Sequence, residues 1–351
     1  MEFESEYRWP GVTYNAIRVL EEVPQRYPFR SHIYRSTFEV SGFPFCRQIE
    51  LYCIAEPGKR ALILDTGHPD LCGFEALDGV EKTLRIPWRN IEVFLSHFHD
   101  DHDGNLLYCV QKGASKLYSG PTQIDSRALI DNFLVLSSSA DLKSDSASSF
   151  IRLVAAGKKA QTYTQGSRIE LHGGETLSIA GYHFDVLLTP GHTSNHLCLL
   201  DKSKKIFFAG DHICDAPPGC MQYAINDHLI ARYLESLAQL KELNLQAVYM
   251  CHHNPLRGSF EINRFISLIE GRYETLVIRA RKLFADHEEL TVREAAIVAA
   301  AHYPRGLEGF PVSTQINRIA TIFGTLEYLY DLGLLTRFIN DEGALVYRRS
   351  W

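Results

Sequence analysis

The chain has no apolar run approaching the ~20 residues that cross a bilayer, which removes a membrane-spanning reading. Its opening, Met1-Glu2-Phe3-Glu4-Ser5-Glu6, is acidic where a secretory signal is basic and then apolar, so a cytoplasmic location is expected. No C-x-x-C pair occurs among the eight cysteines, Cys46, Cys53, Cys72, Cys109, Cys198, Cys214, Cys220 and Cys251. Most sit inside apolar runs, and reduced thiols are expected rather than a disulfide framework. An excess of positive charge is also missing. The net charge of -6 opposes general affinity for nucleic acid, because phosphate binding relies on Lys and Arg that displace counterions. A Gly-x-Ser-x-Gly elbow is absent, so no serine nucleophile is signalled. What remains is 351 residues, 45% hydrophobic and 22% charged, enough for one large domain with a sizeable core and a small one beside it. Several of the fifteen histidines fall at the ends of apolar runs, where loops converge on a site.

Short runs rich in Val, Ile, Leu and Phe, each closed by Gly, Pro, Asp or His, predict strands between about residues 12 and 210. The clearest are Gln48–Ala55, Ala61–Leu64, Ile91–Ser96, Phe184–Thr189, Leu197–Leu200 and Ile206–Ala209, with Ala247–Cys251 beyond them. Leu229, Tyr233, Leu234, Leu237, Leu240 and Leu243 recur at three- and four-residue spacing, the signature of a helix with one buried face. Strands followed by helices make an α/β protein. Residues 121–165, with a Ser-rich stretch at Ser137–Ser149, are expected to be an inserted cap. After about Phe260 helical segments take over: Ile262–Phe284, Thr291–Ala301 with a capping box from Thr291 and Glu294, and Thr314–Leu332. A hairpin of Leu335–Phe338 and Ala344–Tyr347 follows, and three helices with a terminal hairpin suggest a winged helix.

The central signal is Ser96-His97-Phe98-His99-Asp100-Asp101-His102, directly after an apolar run. Extended chain sends His97 and His99 to one side, and the following turn brings Asp101 and His102 to a neighbouring point. Two metal ions can then sit side by side, since imidazole suits zinc and iron and a carboxylate adds a harder oxygen donor. A polar loop whose histidines merely cap the next helix is the plain alternative, and one that three imidazoles and a carboxylate within six residues make poor. Three more runs end on donor-type residues: Thr189-Pro190-Gly191-His192, Ala209-Gly210-Asp211-His212 and Met250-Cys251-His252-His253. Singly each is weak, because Gly-Asp turns are common; four in one chain are strong evidence jointly.

The order H-F-H-D-D-H, P-G-H-T, G-D-H and a late strand-end His, with Leu64-Asp65-Thr66-Gly67 upstream, closely resembles the metallo-β-lactamase superfamily over roughly residues 12–260. The resemblance implies an αββα sandwich with its site at one edge of two sheets, residues 1–260, followed by a winged-helix-like domain, 261–351. It implies two divalent ions, foremost zinc, with iron or manganese as alternatives. By position His97, His99 and His192 look like ligands of the first ion, Asp101, His102 and His252 of the second, and Asp211 the bridge, with Asp65 orienting a ligand histidine. Relatives commonly carry Gly-His-Gly at the last ligand. Here either His252 or His253 could bind, with His252 preferred by its place relative to the strand. His196 and His212 are expected to make buried hydrogen bonds near the site, His68 is a weaker outlier, and Asp100 and Asp103 are turn and helix-start residues. A water shared by ions about 3.5 to 4 Å apart has its pKa lowered toward neutrality. The expected nucleophile is therefore a metal-bridging hydroxide, oriented by Asp101 as the catalytic proton acceptor.

Pro217, Pro218, Asp227-His228-Leu229, Tyr233-Leu234-Glu235-Ser236-Leu237 and the helical tail look like the β-lactamase-like hydrolases with a C-terminal winged helix. That group is associated with acyl thioester hydrolysis and, in some lineages, RNA cleavage; fold alone does not choose. A small-molecule acyl thioester, ester or lactone is the leading expectation, the alternatives being a phosphodiesterase or ribonuclease and a metal-sensing DNA-binding regulator. Residues 261–351 carry 11 Lys and Arg against 12 Asp and Glu, without the basic footprint of a nucleic-acid reader. In Thr314–Leu332 the one basic residue is Arg318, beside an apolar stripe of Ile316, Ile319, Ile322, Leu326 and Leu329. Packing or homodimerisation is the expected role of this tail. The lactonase reading is weakened by Cys214 standing where a tyrosine would follow the bridging Asp, and Tyr223 is not counted as catalytic.

Overall fold

The computed structural model describes residues 11–24, 31–43, 46–121, 168–214, 228–310, 312–341 and 343–351. The expected cap, apart from Pro121, and the loop carrying Pro217, Pro218 and Tyr223 lie outside the described residues. Seven strands stand side by side in chain order: β1 (Thr13–Glu22), β2 (Ile33–Ser41), β3 (Gln48–Glu56), β4 (Arg60–Leu64), β5 (Ile91–Phe94), β6 (Lys116–Ser119) and β7 (Arg168–Glu170). The first four alternate in direction, whereas β4, β5, β6 and β7 run parallel. Parallel neighbours need crossovers. Between β4 and β5 come α1 (Pro69–Cys72) and α2 (Glu75–Lys82), and between β5 and β6 come α3 (Asp100–Asp103) and α4 (Leu106–Lys112).

A second sheet places β8 (Thr176–Ile179), β9 (Tyr182–Leu188), β10 (Leu197–Asp201), β11 (Ile206–Gly210), β12 (Ala247–Met250) and β13 (Leu256–Arg257) side by side. Its one parallel pair is β11 with β12, and α5 (Leu229–Glu242) lies between them in sequence. The uninterrupted apolar run of β4 is explained by burial on both faces. Leu62 and Leu64 point into the inter-sheet core with Phe94, Phe184 and Phe208. Ala61 and Ile63 point the other way, packing with Leu77 and Val80 of α2 and Leu106 of α4. On the far side Phe207 and Val248 pack under Tyr233 and Leu237 of α5. The layers are thus helix, sheet, sheet, helix, with strand ends gathered along one edge.

Beyond the sandwich come α6 (Ser259–Leu283), β14 (Glu289–Thr291), α7 (Val292–Ala300), α8 (Val312–Asp331), β15 (Leu335–Ile339) and β16 (Leu345–Arg349). The capping box is formed by Thr291 and Glu294, and the terminal hairpin gains β14 to make a small antiparallel sheet in the order β14-β16-β15. One apolar cluster runs without a break from Phe207 and Val248 through Tyr233, Ile269 and Tyr273 to Ile319, Leu326, Leu329 and Tyr347. The buried stripe of α8 is therefore part of the same core as the outer layer of the sandwich. Among the described residues no helix is long and apolar enough to cross a membrane.

Candidate metal centre

All seven residues singled out by the sequence meet at the gathered strand ends. His97 and His99 leave the end of β5, and the single turn of α3 carries Asp101 and His102 back toward them. That turn is tied down where the Thr66 N–H and hydroxyl both donate to the His102 carbonyl, at 2.6 and 2.8 Å. His192 follows β9, Asp211 follows β11 and His252 follows β12. Two glycines permit the close approach. A Cβ on Gly191 would stand 2.3 Å from the Tyr233 ring. One on Gly210, at φ +49°, would stand 2.7 Å from Ser96 Cβ, in a conformation that favours glycine. His253, the other option for the last position, lies instead against Phe265, ring centroids 5.7 Å apart.

His97 Nε2, His99 Nδ1 and His192 Nε2 form one triplet, with His99 Nδ1 3.0 Å from each of the other two. A tetrahedral ion with bonds of about 2.0 to 2.1 Å has its donors about 3.3 Å apart. Around the Asp211 carboxylate a second group forms: its Oδ2 lies 3.2 Å from His252 Nε2 and 3.4 Å from His102 Nε2. Asp101 completes it, 3.3 Å from His252 Nε2 and 3.9 Å from His102 Nε2. The same Asp211 oxygen lies 3.5 Å from His192 Nε2, so one carboxylate spans both groups.

Which ring nitrogen offers a lone pair follows from the partners behind each ring. Asp65 is the organiser. Its Oδ1 accepts the Ser96 N–H at 2.7 Å, and its Oδ2 accepts the Ser96 hydroxyl and His102 Nδ1–H, both at 2.8 Å. Having given its proton to Asp65, the Ser96 oxygen is left to accept His97 Nδ1–H at 3.0 Å. The Gln48 carbonyl, an acceptor only, holds His252 Nδ1–H at 3.1 Å. In all three rings the Nε2 lone pair is thereby turned inward. His102 Nε2 and Asp211 Oδ1 are buried with no hydrogen-bond partner, a costly state for polar atoms that a cation relieves. The donor set therefore fits divalent metal ions.

Electrostatics point the same way. Burial and the neighbouring imidazoles hold His97 well below its ordinary pKa and bring His192 to about 3, so both are neutral and able to ligate. For His102 and His252 burial opposes charge, but Asp211 and Asp101 outweigh it and push both well above the usual imidazole value. Burial likewise raises the Asp211 carboxyl, and His252 and His102 overcome it and leave it well below the carboxylate range. The acidic half of the cluster draws in positive charge.

Residues 48–252 match the model of the metallo-beta-lactamase superfamily. The chain belongs to this superfamily. The fold of a metallo-beta-lactamase family protein from Thermus thermophilus is similar at 19% identity and a TM-score of 0.67, over 91% of this chain and 98% of that one. A beta-lactamase domain protein from Burkholderia ambifaria matches at 17% identity and the same TM-score, over 91% of each chain. At these identities the likeness is one of fold.

Within the superfamily frame, the remaining residues of the notable motifs act around the cluster. His196 Nε2 accepts the Asp211 N–H at 3.2 Å, and His212 lies 2.8 Å from the Ser236 hydroxyl while its carbonyl accepts the Tyr233 hydroxyl. α5 thus braces the Gly210–His212 turn. His68 caps α1 by accepting the Asp70 N–H. Three contributors carried no sequence signal. Cys46 groups with Asp101 and His252. Glu50, fully buried, takes two hydrogen bonds from Arg35, and Arg35 also donates to Asn254. Glu50 N–H donates to the Cys251 carbonyl, so this ion pair fixes β3 against the loop that presents His252.

Proposed function

We propose that the chain is a dinuclear metal-dependent hydrolase of a small acyl thioester, ester or lactone. The observation carrying the dinuclear reading is the Asp211 carboxylate, in reach of His192 on one side and of His102 and His252 on the other. His97, His99 and His192 would hold one ion, and Asp101, His102 and His252 the other, with zinc suiting a set rich in imidazole. When bound, the ions supply Lewis acidity and a water of lowered pKa. Asp101, partly exposed, accepts the proton of the attacking water at its carboxylate and passes it to the leaving group. Asp65 and the Gln48 carbonyl hold the imidazoles in the ligating tautomer throughout.

An acyl substrate, rather than a nucleic acid, is favoured by the charge balance of residues 261–351 and by the engagement of Arg318. Its guanidinium lies 4.2 Å from the Phe310 ring centroid and 4.8 Å from that of Tyr303, packing rather than reaching for phosphate. On this reading residues 261–351 are a winged helix used for packing or self-association, and the setting is the reducing cytoplasm. The test is metal analysis of the purified protein together with a panel of thioesters, lactones, β-lactams and phosphodiesters. Two ions per chain and acyl turnover, both lost in Asp211→Ala, are expected. Turnover of RNA but of no acyl compound overturns the substrate class, and full activity without metal overturns the mechanism.

A further inference from the structure

We propose that the Cys46 sulfur is an additional donor to the ion held by Asp101, His102 and His252. The inference rests on the dinuclear reading and adds to its donor set. Cys46 Sγ, an Asp101 carboxylate oxygen and a His252 ring nitrogen all lie within 4.8 Å of one another. All three residues are partly exposed. A second observation points to the same place: His102 Nε2, on a side chain 1% exposed, has no hydrogen-bond partner and faces Asp211 at 3.4 Å and Asp101 at 3.9 Å. The placement of the sulfur is built into the chain. Gln48, whose carbonyl orients His252, begins β3, and Cys46 stands two residues before it.

A second sulfur competes for this role. Cys251 groups with Asp65 and His102, but the His102 nitrogen facing Asp65 is Nδ1, which donates to Asp65 at 2.8 Å. Asp65 also accepts from the Ser96 amide and hydroxyl, and the Cys251 thiol adds a longer contact of 3.5 Å to the same carboxylate. That group is a hydrogen-bonded support. Cys46 is the sulfur grouped with Asp101 and His252, and it is Nε2 of His252 that faces the Asp101 and Asp211 carboxylates. Coordination expels the thiol proton to solvent, and a thiolate among imidazoles biases the position toward zinc and away from manganese or magnesium.

Cobalt(II)-loaded full-length protein tests this, with bound cobalt counted in the same samples. The expected result is a thiolate-to-cobalt charge-transfer absorption that is present in the wild type, lost in Cys46→Ser and Cys46→Ala, and kept in Cys251→Ser. As a second measurement, zinc should slow iodoacetamide alkylation of Cys46 in the wild type, read by peptide mass spectrometry. Two cobalt ions bound without that absorption, or alkylation of Cys46 unchanged by zinc, overturns the role of Cys46 and leaves the dinuclear reading standing. An absorption that survives both Cys46 variants and is lost in Cys251→Ser assigns the sulfur to Cys251 and also overturns it. A folded chain that binds no metal overturns both readings.

Discussion

Replacing Asp65 by Asn changes one atom's chemistry at nearly constant shape, and the structure dictates how the amide sits. The Ser96 N–H is fixed backbone and donates to Oδ1 at 2.7 Å, so the amide oxygen takes that place and the NH2 group takes the place of Oδ2. His102 Nδ1, 2.8 Å from that atom, then meets a donor where it had an acceptor. The neutral ring must adopt the opposite tautomer, with its hydrogen on Nε2, aimed at Asp211 3.4 Å away. The lone pair intended for the second ion is lost. His97 is spared, because the Ser96 hydroxyl can still accept its Nδ1–H. Loss of such an orienting partner weakens metal binding about 10- to 100-fold, or about 1.4 to 2.7 kcal/mol. Titration with buffered zinc should therefore show one site unchanged and the other weakened by that factor, with kcat/KM falling wherever the second site empties. Two sites of unchanged affinity in Asp65→Asn would refute the tautomer argument.

Gly210→Ala should cost about 1 to 3 kcal/mol from its positive φ and reduce bound metal, since the added methyl meets Ser96 next to Asp211, the proposed bridge; a metal count and a denaturant midpoint check both, and two ions at wild-type stability would count against it. Arg35→Ala takes the paired cation from the buried Glu50 carboxylate, leaving it the Thr37 hydroxyl and the Gln48 amide as donors, and should lower unfolding stability by about 3 kcal/mol, the low end for a broken buried pair; a loss below about 1 kcal/mol in urea titration would show that Glu50 does not depend on this partner. Burial holds His212 at about 3 against 6.5 for a free imidazole, so unfolding takes up a proton between these values and stability falls as pH drops from about 6.5 toward 3. His212→Gln should flatten that fall by about one proton, ~1.4 kcal/mol per pH unit, and an unaltered slope in urea midpoints across this window would contradict it.

Why the donors could be read from the chain and some of their supports could not is a matter of range. His97 and Asp211 each stand just past a strand whose apolar character reports burial on two faces, so residue type and position in the run carry the information together, while Asp101 and His102 ride on the turn of α3 that follows. Ile91–Phe94 before His97 and Ile206–Gly210 before Asp211 show this. β1 shows the opposite case: it packs at the sheet edge with register shifts between Ala16 and Arg18 and between Arg18 and Glu21, and Ile17 and Val19 are exposed. Bulges break the period of two on which a strand signal depends, so neither alternation nor a continuous run survives.

The choice between His252 and His253 is open in the sequence for a related reason, since both follow the same strand and either ring is a competent ligand. What sets the two rings apart lies outside any local window: the Gln48 carbonyl, 204 positions earlier, takes the Nδ1–H of His252, while Phe265 of α6 meets the His253 ring. Glu50 is obscured in the same way. In sequence it is a charge inside an apolar strand, and only the β2–β3 pairing, with Thr37 opposite Glu50 and Arg35 opposite Tyr52, brings the guanidinium across to it. Donor identity is thus a local property of this chain, whereas donor orientation is set by pairing between strands distant in sequence. It follows that substitutions such as Asp65→Asn and Arg35→Ala, which leave all seven proposed donors in place, should still change how the second ion is held.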